Sequence, residues 1–346
     1  MTTVLVTGGA GYIGSHTCKA LRLAGFDPVT YDNLTRGNRE AVKWGPLEIG
    51  DLTDGDRVRE TLARYCPAAV IHFAALAYVD ESNRNPALYY QNNVGGTATL
   101  LNAMRESGVG NIVFSSSCTV YGTPTVIPIS EEARYAPINP YGATKTICER
   151  MLTECTLAFP LSFMALRYFN ASGADPDGEI GECHAPETHA IPLLLDAAAG
   201  ESKGFTIFGD DYPTADGTCV RDYIHVTDLA DAHVRAVRAL LGGADSTPLN
   251  LGTGRGWSVR ELIDTVRDIT GCEFSVQVGT RRPGDPPALI AAASRARHQL
   301  EWRPHYSDLA TQVRHAWAWR QGECRTWERM QNRSVATSKT IREVPI

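Results

Sequence analysis

The sequence predicts an α/β fold in which a doubly wound parallel sheet carries a smaller mixed α/β lobe. Three observations point there. An apolar run at residues 3–7 enters a glycine-rich turn, Gly8-Gly9-Ala10-Gly11-Tyr12-Ile13-Gly14, and then a helical stretch reaching residue 23. Short apolar runs then alternate with longer periodic stretches through the first half, as expected of strands buried on both faces and joined by crossover helices. After residue 170, Gly, Pro and Asp cluster and the elements shorten, which marks a loop-rich second part.

The turn has the spacing Gly-x-x-Gly-x-x-Gly. Glycines permit the tight turn and let the backbone approach a pyrophosphate at the helix start, and the last one lets helix pack on strand. A second strand at 28–31 ends in Asp32, about 18 residues beyond Gly14 and near the ~20 expected of a ribose-binding acid. A carboxylate there accepts from ribose hydroxyls and repels a 2′-phosphate, which favours NAD over NADP; Arg36 is the nearby feature that would admit NADP.

Residues 47–52 and 70–75 read as the third and fourth strands, the latter running into small residues that leave room for a ligand. His72 sits among apolar neighbours and reads as a core histidine rather than a catalyst. One long helix is expected over 86–107, and the amides of Asn92 and Asn93 inside it need partners in a neighbouring backbone or a cofactor. Residues 111–115 form the fifth strand and run into Ser115-Ser116-Ser117 at the sheet's carboxyl edge, the usual ligand side.

Tyr141 and Lys145 stand one helical turn apart on one face. A tyrosine pKa of about 10 is too high for a base at neutral pH, and a neighbouring ammonium favours the phenolate. Lowering it by roughly three units takes about 4 kcal/mol, which a partly buried lysine and a cationic cofactor ring together could supply. Ser117, between a buried strand and this helix, reads as a hydroxyl donor to a reacting oxygen.

In the second part, helices are expected over 191–199, 227–241, 259–270 and 307–320, and strands over 205–208, 248–251 and 274–278. The division is therefore 1–170 for dinucleotide binding, with later segments returning to it, 171–322 for the second ligand, and 323–346 as a polar tail without chemistry.

At 346 residues and 43% hydrophobic the chain can bury a large core. A net charge of -6 without a long basic run argues against nucleic acid and against a membrane patch. No apolar stretch reaches the ~20 residues that span a bilayer, and the apolar run at 4–6 is too short for a secretory signal. Nine cysteines without a Cys-x-x-Cys pair read as reduced thiols in a cytoplasm. They also speak against zinc, so no metal is expected.

The glycine turn, Asp32, Ser117 and Tyr141-x-x-x-Lys145 together resemble the extended short-chain dehydrogenase/reductase superfamily, whose sheet is of the Rossmann type. Residues 115–122, Arg167-Tyr168-Phe169-Asn170, and stretches 208–214, 220–225 and 281–285 narrow the resemblance to UDP-glucose 4-epimerases, over roughly residues 3–320. That resemblance implies reversible inversion at C4 of a UDP-hexose through a 4-keto sugar. Ser117, Tyr141 and Lys145 would be catalytic. NAD would be held by Gly8, Gly11, Tyr12, Ile13, Gly14, Asp32, Asn33, Asp51, Leu52, Phe73, Asn93, Tyr141, Lys145 and Tyr168. The UDP-sugar would meet Ser117, Tyr141, Phe169, Asn170, Phe208, Arg221, Arg282, Asp285 and Leu289. A cytoplasmic homodimer through the helices near 86–107 and 141–159 is implied as well.

UDP-pentose or UDP-uronate 4-epimerases share the C4 chemistry and stay open as alternatives. A sugar 4,6-dehydratase is disfavoured because Cys118 and Thr119 stand where it has an acidic pair. A non-catalytic NAD-sensing regulator would have no reason to keep Ser117, Tyr141 and Lys145 together. Two positions depart from the pattern: Ala77 replaces a lysine that contacts the cofactor in many relatives, and His189 replaces an asparagine beside the sugar nucleotide in some.

Overall fold

The computed structural model describes residues 1–282, 284–322, 324 and 327. The first part runs β1 (Thr2–Thr7), α1 (Tyr12–Leu23), β2 (Phe26–Asp32), β3 (Leu47–Ile49), α2 (Gly55–Tyr65), β4 (Ala69–His72), α3 (Val79–Arg84), α4 (Pro86–Tyr89), α5 (Gly96–Glu106), β5 (Asn111–Ser117), α6 (Pro140–Ala158) and β6 (Ser162–Tyr168). The second part runs β7 (Asn170–Ser172), α7 (Ala190–Ala198), β8 (Phe205–Phe208), β9 (Val220–Arg221), β10 (Tyr223–His225), α8 (Val226–Leu241), β11 (Thr247–Leu251), β12 (Trp257–Ser258), α9 (Val259–Thr270), β13 (Val276–Gly279), β14 (Ala288–Leu289), α10 (Ser294–Gln299) and α11 (Leu309–Gln321).

Seven strands form one parallel sheet in the order β11-β6-β5-β4-β1-β2-β3. Alternation along each strand sends successive side chains to opposite faces. Val4, Val6, Ile71, Val113, Met164 and Leu166 pack on one side, into a core shared with α1 and α8. Leu5, Val70, Ile112, Phe114, Phe163 and Ala165 pack on the other, against α2, α5 and α6. Both faces are dry, which is why these strands read as unbroken apolar runs.

The sequence reading assigns no element to Ser162–Tyr168, where β6 lies; Arg167 near its end is buried in an ion pair. One expectation is corrected. The helix expected over 86–107 is α4, a π-helical segment Tyr90–Gly95, and α5. Wide turns of this kind are rare and often sit at functional sites. The later segments expected to return to the sheet are α8, β11 and the stretch carrying Ala293, Ala296, Leu300 and Trp302.

The smaller lobe has its own core, where Ile191, Leu194 and Leu195 of α7 meet Leu262, Ile263 and Val266 of α9 and Leu309 and Val313 of α11. Its best-defined helix start is a capping box on α9: Glu261 N–H donates to Ser258 Oγ at 3.1 Å, and Ser258 N–H to Glu261 Oε2 at 2.7 Å. Cys324 and Trp327 are buried beside Trp319. The rest of the tail expected over 323–346 lies outside the described residues.

Candidate active site

The carboxyl edge of the sheet opens into a cavity of about 820 Å3 between the two lobes. Helix α1 starts at Gly11 without a side-chain cap, so the N–H groups of its first turn have no helical acceptor. Gly11, Tyr12, Ile13 and Gly14 line the cavity there. A Cβ on Gly11 would meet only Gly8 O, at 3.2 Å, so any side chain would occupy the cradle itself. Gly8 adopts a φ of +73°, and a Cβ on Gly14 would fall 2.2 Å from Gly8 O. This bare helix start suits a pyrophosphate.

Asp32 ends β2 at the cavity wall, and its carboxylate accepts from Ala10 N at 3.0 Å and Leu34 N at 2.8 Å. Burial nevertheless pushes its pKa up. Asn33 Nδ2 donates to Asp51 Oδ2 at 2.7 Å, and Asp51, Leu52, Phe73 and Tyr168 continue the lining. The residues present therefore fit a dinucleotide. Arg36, the residue that would admit a 2′-phosphate, is engaged elsewhere: it donates to Glu81 Oε1 at 2.9 Å and stacks on Tyr78. Ala77 lines the wall beside them.

Asn93 is the exception among the expected cofactor contacts. Its amide accepts from Leu76 N at 2.8 Å and donates to Leu76 O at 3.0 Å and Thr144 Oγ1 at 3.1 Å. It stands behind the wall and holds the 74–78 loop to α6. His72 is a satisfied core histidine, bonded to Thr7 Oγ1 at 2.7 Å and Thr97 Oγ1 at 3.0 Å.

Tyr141 sits in the first turn of α6, fixed by Pro140 and by the Asn139 side chain, which accepts from Gly142 N at 2.8 Å. Ser117 ends β5, where its Oγ accepts from Thr119 N at 3.2 Å. Both line the cavity with Lys145. Burial dominates the electrostatics. It raises the Tyr141 phenol well above its ordinary value, nearby Tyr168 adds to the rise, and hydrogen bonding with Ser117 pulls it partly back. Lys145 is driven down to about 8, also by burial. Its Nζ lies 5.8 Å from the Tyr141 ring centroid. Proximity of the lysine alone, as expected from the spacing, does not make this phenol acidic.

A buried network lies under the reacting edge. Arg167 donates to Glu149 through Nη2 at 2.7 Å and Nε at 3.0 Å. Glu149 also accepts from Ser116 Oγ, and from Tyr135 O–H at 2.8 Å. Glu149 follows Lys145 by one further turn of α6, so Tyr141, Lys145 and Glu149 share a face.

The smaller lobe contributes Phe169, Asn170, Phe208, Arg221, Arg282, Asp285 and Leu289 to the cavity. Arg221 pairs directly with Asp285, so these two groups, expected to act separately, form one unit. Arg282 stacks over Phe208, 3.9 Å from its centroid. Leu289 is 7% exposed and packs with Phe169, Cys118 and Tyr121 as well as facing the cavity.

The sequence reading missed one part of the wall. Glu182, His184 and His189 line it, with Glu187 beside them. Burial disfavours charge on both imidazoles, but Glu182 and Glu187 outweigh it, holding His184 up at about 9 and His189 well above the ordinary value. The available signal was composition: two Glu and two His within residues 182–189, of which only His189 was singled out.

The cradle and the Tyr141/Lys145 pair open on the same space, and that defines a class: an enzyme using a dinucleotide to move hydrogen at an alcohol carbon. The chain belongs to the NAD dependent epimerase/dehydratase family, which residues 4–252 match. It is 54% identical over 316 residues to the UDP-glucose 4-epimerase of Rhizobium meliloti (strain 1021), covering 91% of this chain and 96% of the relative. Among solved structures, it superposes on UDP-glucose 4-epimerase from Brucella ovis in complex with NAD with a TM-score of 0.90, at 53% identity, covering 92% of this chain and 98% of that one. The UDP-glucose 4-epimerase of Stenotrophomonas maltophila, with bound NAD and formylated UDP-arabinopyranose, gives a TM-score of 0.91 at 40% identity, covering 94% and 100%.

Proposed function

We propose that the chain catalyses reversible NAD-dependent 4-epimerisation of UDP-glucose and UDP-galactose. One observation carries this: Ser117, Tyr141 and Lys145 share a single cavity with the α1 cradle and with Arg221 and Arg282. NAD held at the α1 cradle and Asp32 would supply reversible hydride chemistry at C4. Tyr141 takes the proton from the 4-hydroxyl and later returns it. Ser117 hydrogen-bonds the same oxygen as it becomes a carbonyl. Lys145, anchored on Ser115 O at 2.7 Å, holds positive charge beneath the phenol and favours its ionised form. Arg221 and Arg282 suit the diphosphate, because guanidinium forks match its oxygens. Asp285 orients Arg221 and faces a ribose, while Phe169, Asn170, Phe208 and Leu289 enclose the rest of the nucleotide sugar.

The dehydratase reading is disfavoured by environment as well as residue type. Burial pushes the Cys118 thiol up to about 12, and Thr119 Oγ1 donates to Ser117 Oγ at 3.0 Å. The homodimer and the cytoplasmic location belong to the same proposal. Leu88 and Tyr90, and Ile147 and Leu157 of α6, are exposed apolar residues on the helices expected to pair. Among the described residues no helix is long and apolar enough to cross a membrane. Purified protein given UDP-galactose and no added reductant should accumulate UDP-glucose. A requirement for stoichiometric NADPH would overturn the proposal.

A further inference from the structure

The segment between β7 and α7 gathers four side chains of metal-binding type. Glu182, His184, Glu187 and His189 each turn one ligating atom inward, and these atoms all lie within 4.8 Å of one another. Both imidazoles present Nδ1. That of His184 is 3.1 Å from a Glu182 oxygen and 3.7 Å from a Glu187 oxygen. That of His189 is 2.5 Å from the same Glu182 oxygen, Oε1, and 3.3 Å from Glu187 Oε1, whereas His184 faces Glu187 Oε2. Ligands held at the usual 2.0–2.2 Å zinc distances at tetrahedral corners stand roughly 3.3–3.6 Å apart. The observed spacings bracket that edge length.

Geometry separates this group from an ordinary surface ion pair. His184 Nδ1 is buried and makes no hydrogen bond; it sits near both carboxylates without aligning on either. Glu187 Oε1 accepts from Thr188 N at 2.6 Å and His189 N at 2.8 Å, which fixes the carboxylate and leaves Oε2 toward His184. The Glu182 side chain is 7% exposed, whereas His189 is 46% exposed. The site is thus enclosed on one side and reachable on the other. Cysteine spacing speaks only against a thiolate zinc site, and this set is His and Glu.

We propose that Glu182, His184, Glu187 and His189 form a divalent-metal site, with zinc the best-matched ion. Two imidazoles and two carboxylates in a tetrahedron suit zinc better than the all-oxygen, higher-coordinate preferences of calcium or magnesium. Four protein ligands leave no open position, so the ion is structural. Binding converts two imidazolium groups to neutral ligands and releases two protons to solvent, with no redox change. Its consequence is mechanical. His184 lies edge-on to Tyr12 and Tyr78, at 6.4 and 6.1 Å between centroids, and Tyr12 O–H donates to Gly173 O at 2.6 Å. The ion therefore pins the 182–189 segment as a wall over the dinucleotide cradle.

The test uses the full-length chain, stripped with a chelator and dialysed metal-free. ZnCl2 is titrated in competition with a chromophoric chelator, and CoCl2 is added to a parallel sample. One equivalent of zinc should bind, with a dissociation constant on the order of a micromolar or below, and the melting temperature should rise with added zinc. Cobalt should give the visible bands of a tetrahedral nitrogen–oxygen site without a thiolate charge-transfer band. His184→Ala and Glu187→Gln should each lose that equivalent. His189→Gln, at the exposed corner, should lose it too and carries the least risk to folding. Absence of a bound equivalent, a thiolate band, or an unchanged equivalent in His189→Gln would each overturn the assignment.

Discussion

Lys145 donates to the backbone oxygen of Ser115 at 2.7 Å and lies 4.9 Å from the Phe114 ring centroid, reaching past Tyr141 into the sheet. It is 3% exposed, and burial lowers its pKa from 10.5 to about 8. Between those values the unfolded chain holds a proton that the folded chain has lost, so folding becomes more favourable as pH rises through this window. Below it, the full cost of burying the ammonium is carried. Lys145→Met should therefore stabilise the nucleotide-free protein at pH 7 by about 2 kcal/mol, after allowing for the orphaned Ser115 carbonyl. The gain should shrink toward pH 10. Urea midpoints at the two pH values measure this, and a Lys145→Met protein less stable at pH 7 would refute it.

Removing the phenol hydroxyl alone tests the proton transfer. Tyr141→Phe should lose roughly 10²–10⁴-fold in kcat, the range for one general base, with UDP binding retained. Ser117→Ala should lose on the order of 10²–10³-fold, as for one lost donor to a developing oxyanion. Steady-state rates with UDP-galactose give both values. Full activity in Tyr141→Phe would remove the assigned base.

The closest backbone approach in the cradle predicts cofactor loss. A Cβ on Gly14 would lie 2.2 Å from Gly8 O, so Gly14→Ala must shift the turn that shapes the α1 N-terminus. Nucleotide released on denaturation should fall at least about tenfold relative to the parent, a change of about 1.4 kcal/mol. Equal NAD content in the two proteins would show that the turn yields without cost.

Arg167 and Glu149 should behave as a unit. Arg167→Met leaves a buried carboxylate facing an apolar side chain and should cost about 3–5 kcal/mol. Replacing both, as Arg167→Met with Glu149→Leu, should recover part of that loss. Unfolding curves of the two variants decide, and a double variant no better than the single one would mean the pair is not coupled.

Leu289 is the candidate for sugar size. It is the only barrier this prediction varies, and it faces the cavity beside Phe169. The chain should epimerise UDP-N-acetylglucosamine more slowly than UDP-glucose. Leu289→Tyr should abolish the former and spare the latter, as read by product ratios. No turnover of the acetylated sugar by the parent protein would end this reading without touching the assignment at C4.

The parallel sheet was legible because its strands are buried on both faces and its first turn is written in glycine. Tyr141 and Lys145 were legible from helical spacing. What the spacing did not carry was the dielectric: only the fold shows that both groups are buried, so that desolvation is the largest influence on each. Asn93 was legible as a residue in need of partners, but which partners depended on where the 74–78 loop runs. Strand β6 carries Arg167 on a buried position, where Glu149 from a helix packed on the same sheet cancels its charge, a pairing the spacing alone does not show. His189 stood out only as a departure beside the sugar nucleotide; its relation to Glu182, His184 and Glu187 exists only once the loop closes on itself.

The chain's return from the smaller lobe to the sheet has a consequence for substrate exchange. After β7 it leaves, comes back through β10 into α8 and β11, leaves again for β12 and α9, and returns at Ala293–Trp302. Two bodies joined by so many threads cannot part like a book on a single spine. Entry and exit must be served by local loops, and a sugar that presents first one face and then the other must turn inside a chamber whose walls stay put. For the same reason neither half can be excised. A chain cut before α8 would strip β6 of its outer neighbour and α1 of the helix it packs against, leaving the cofactor cradle without its support.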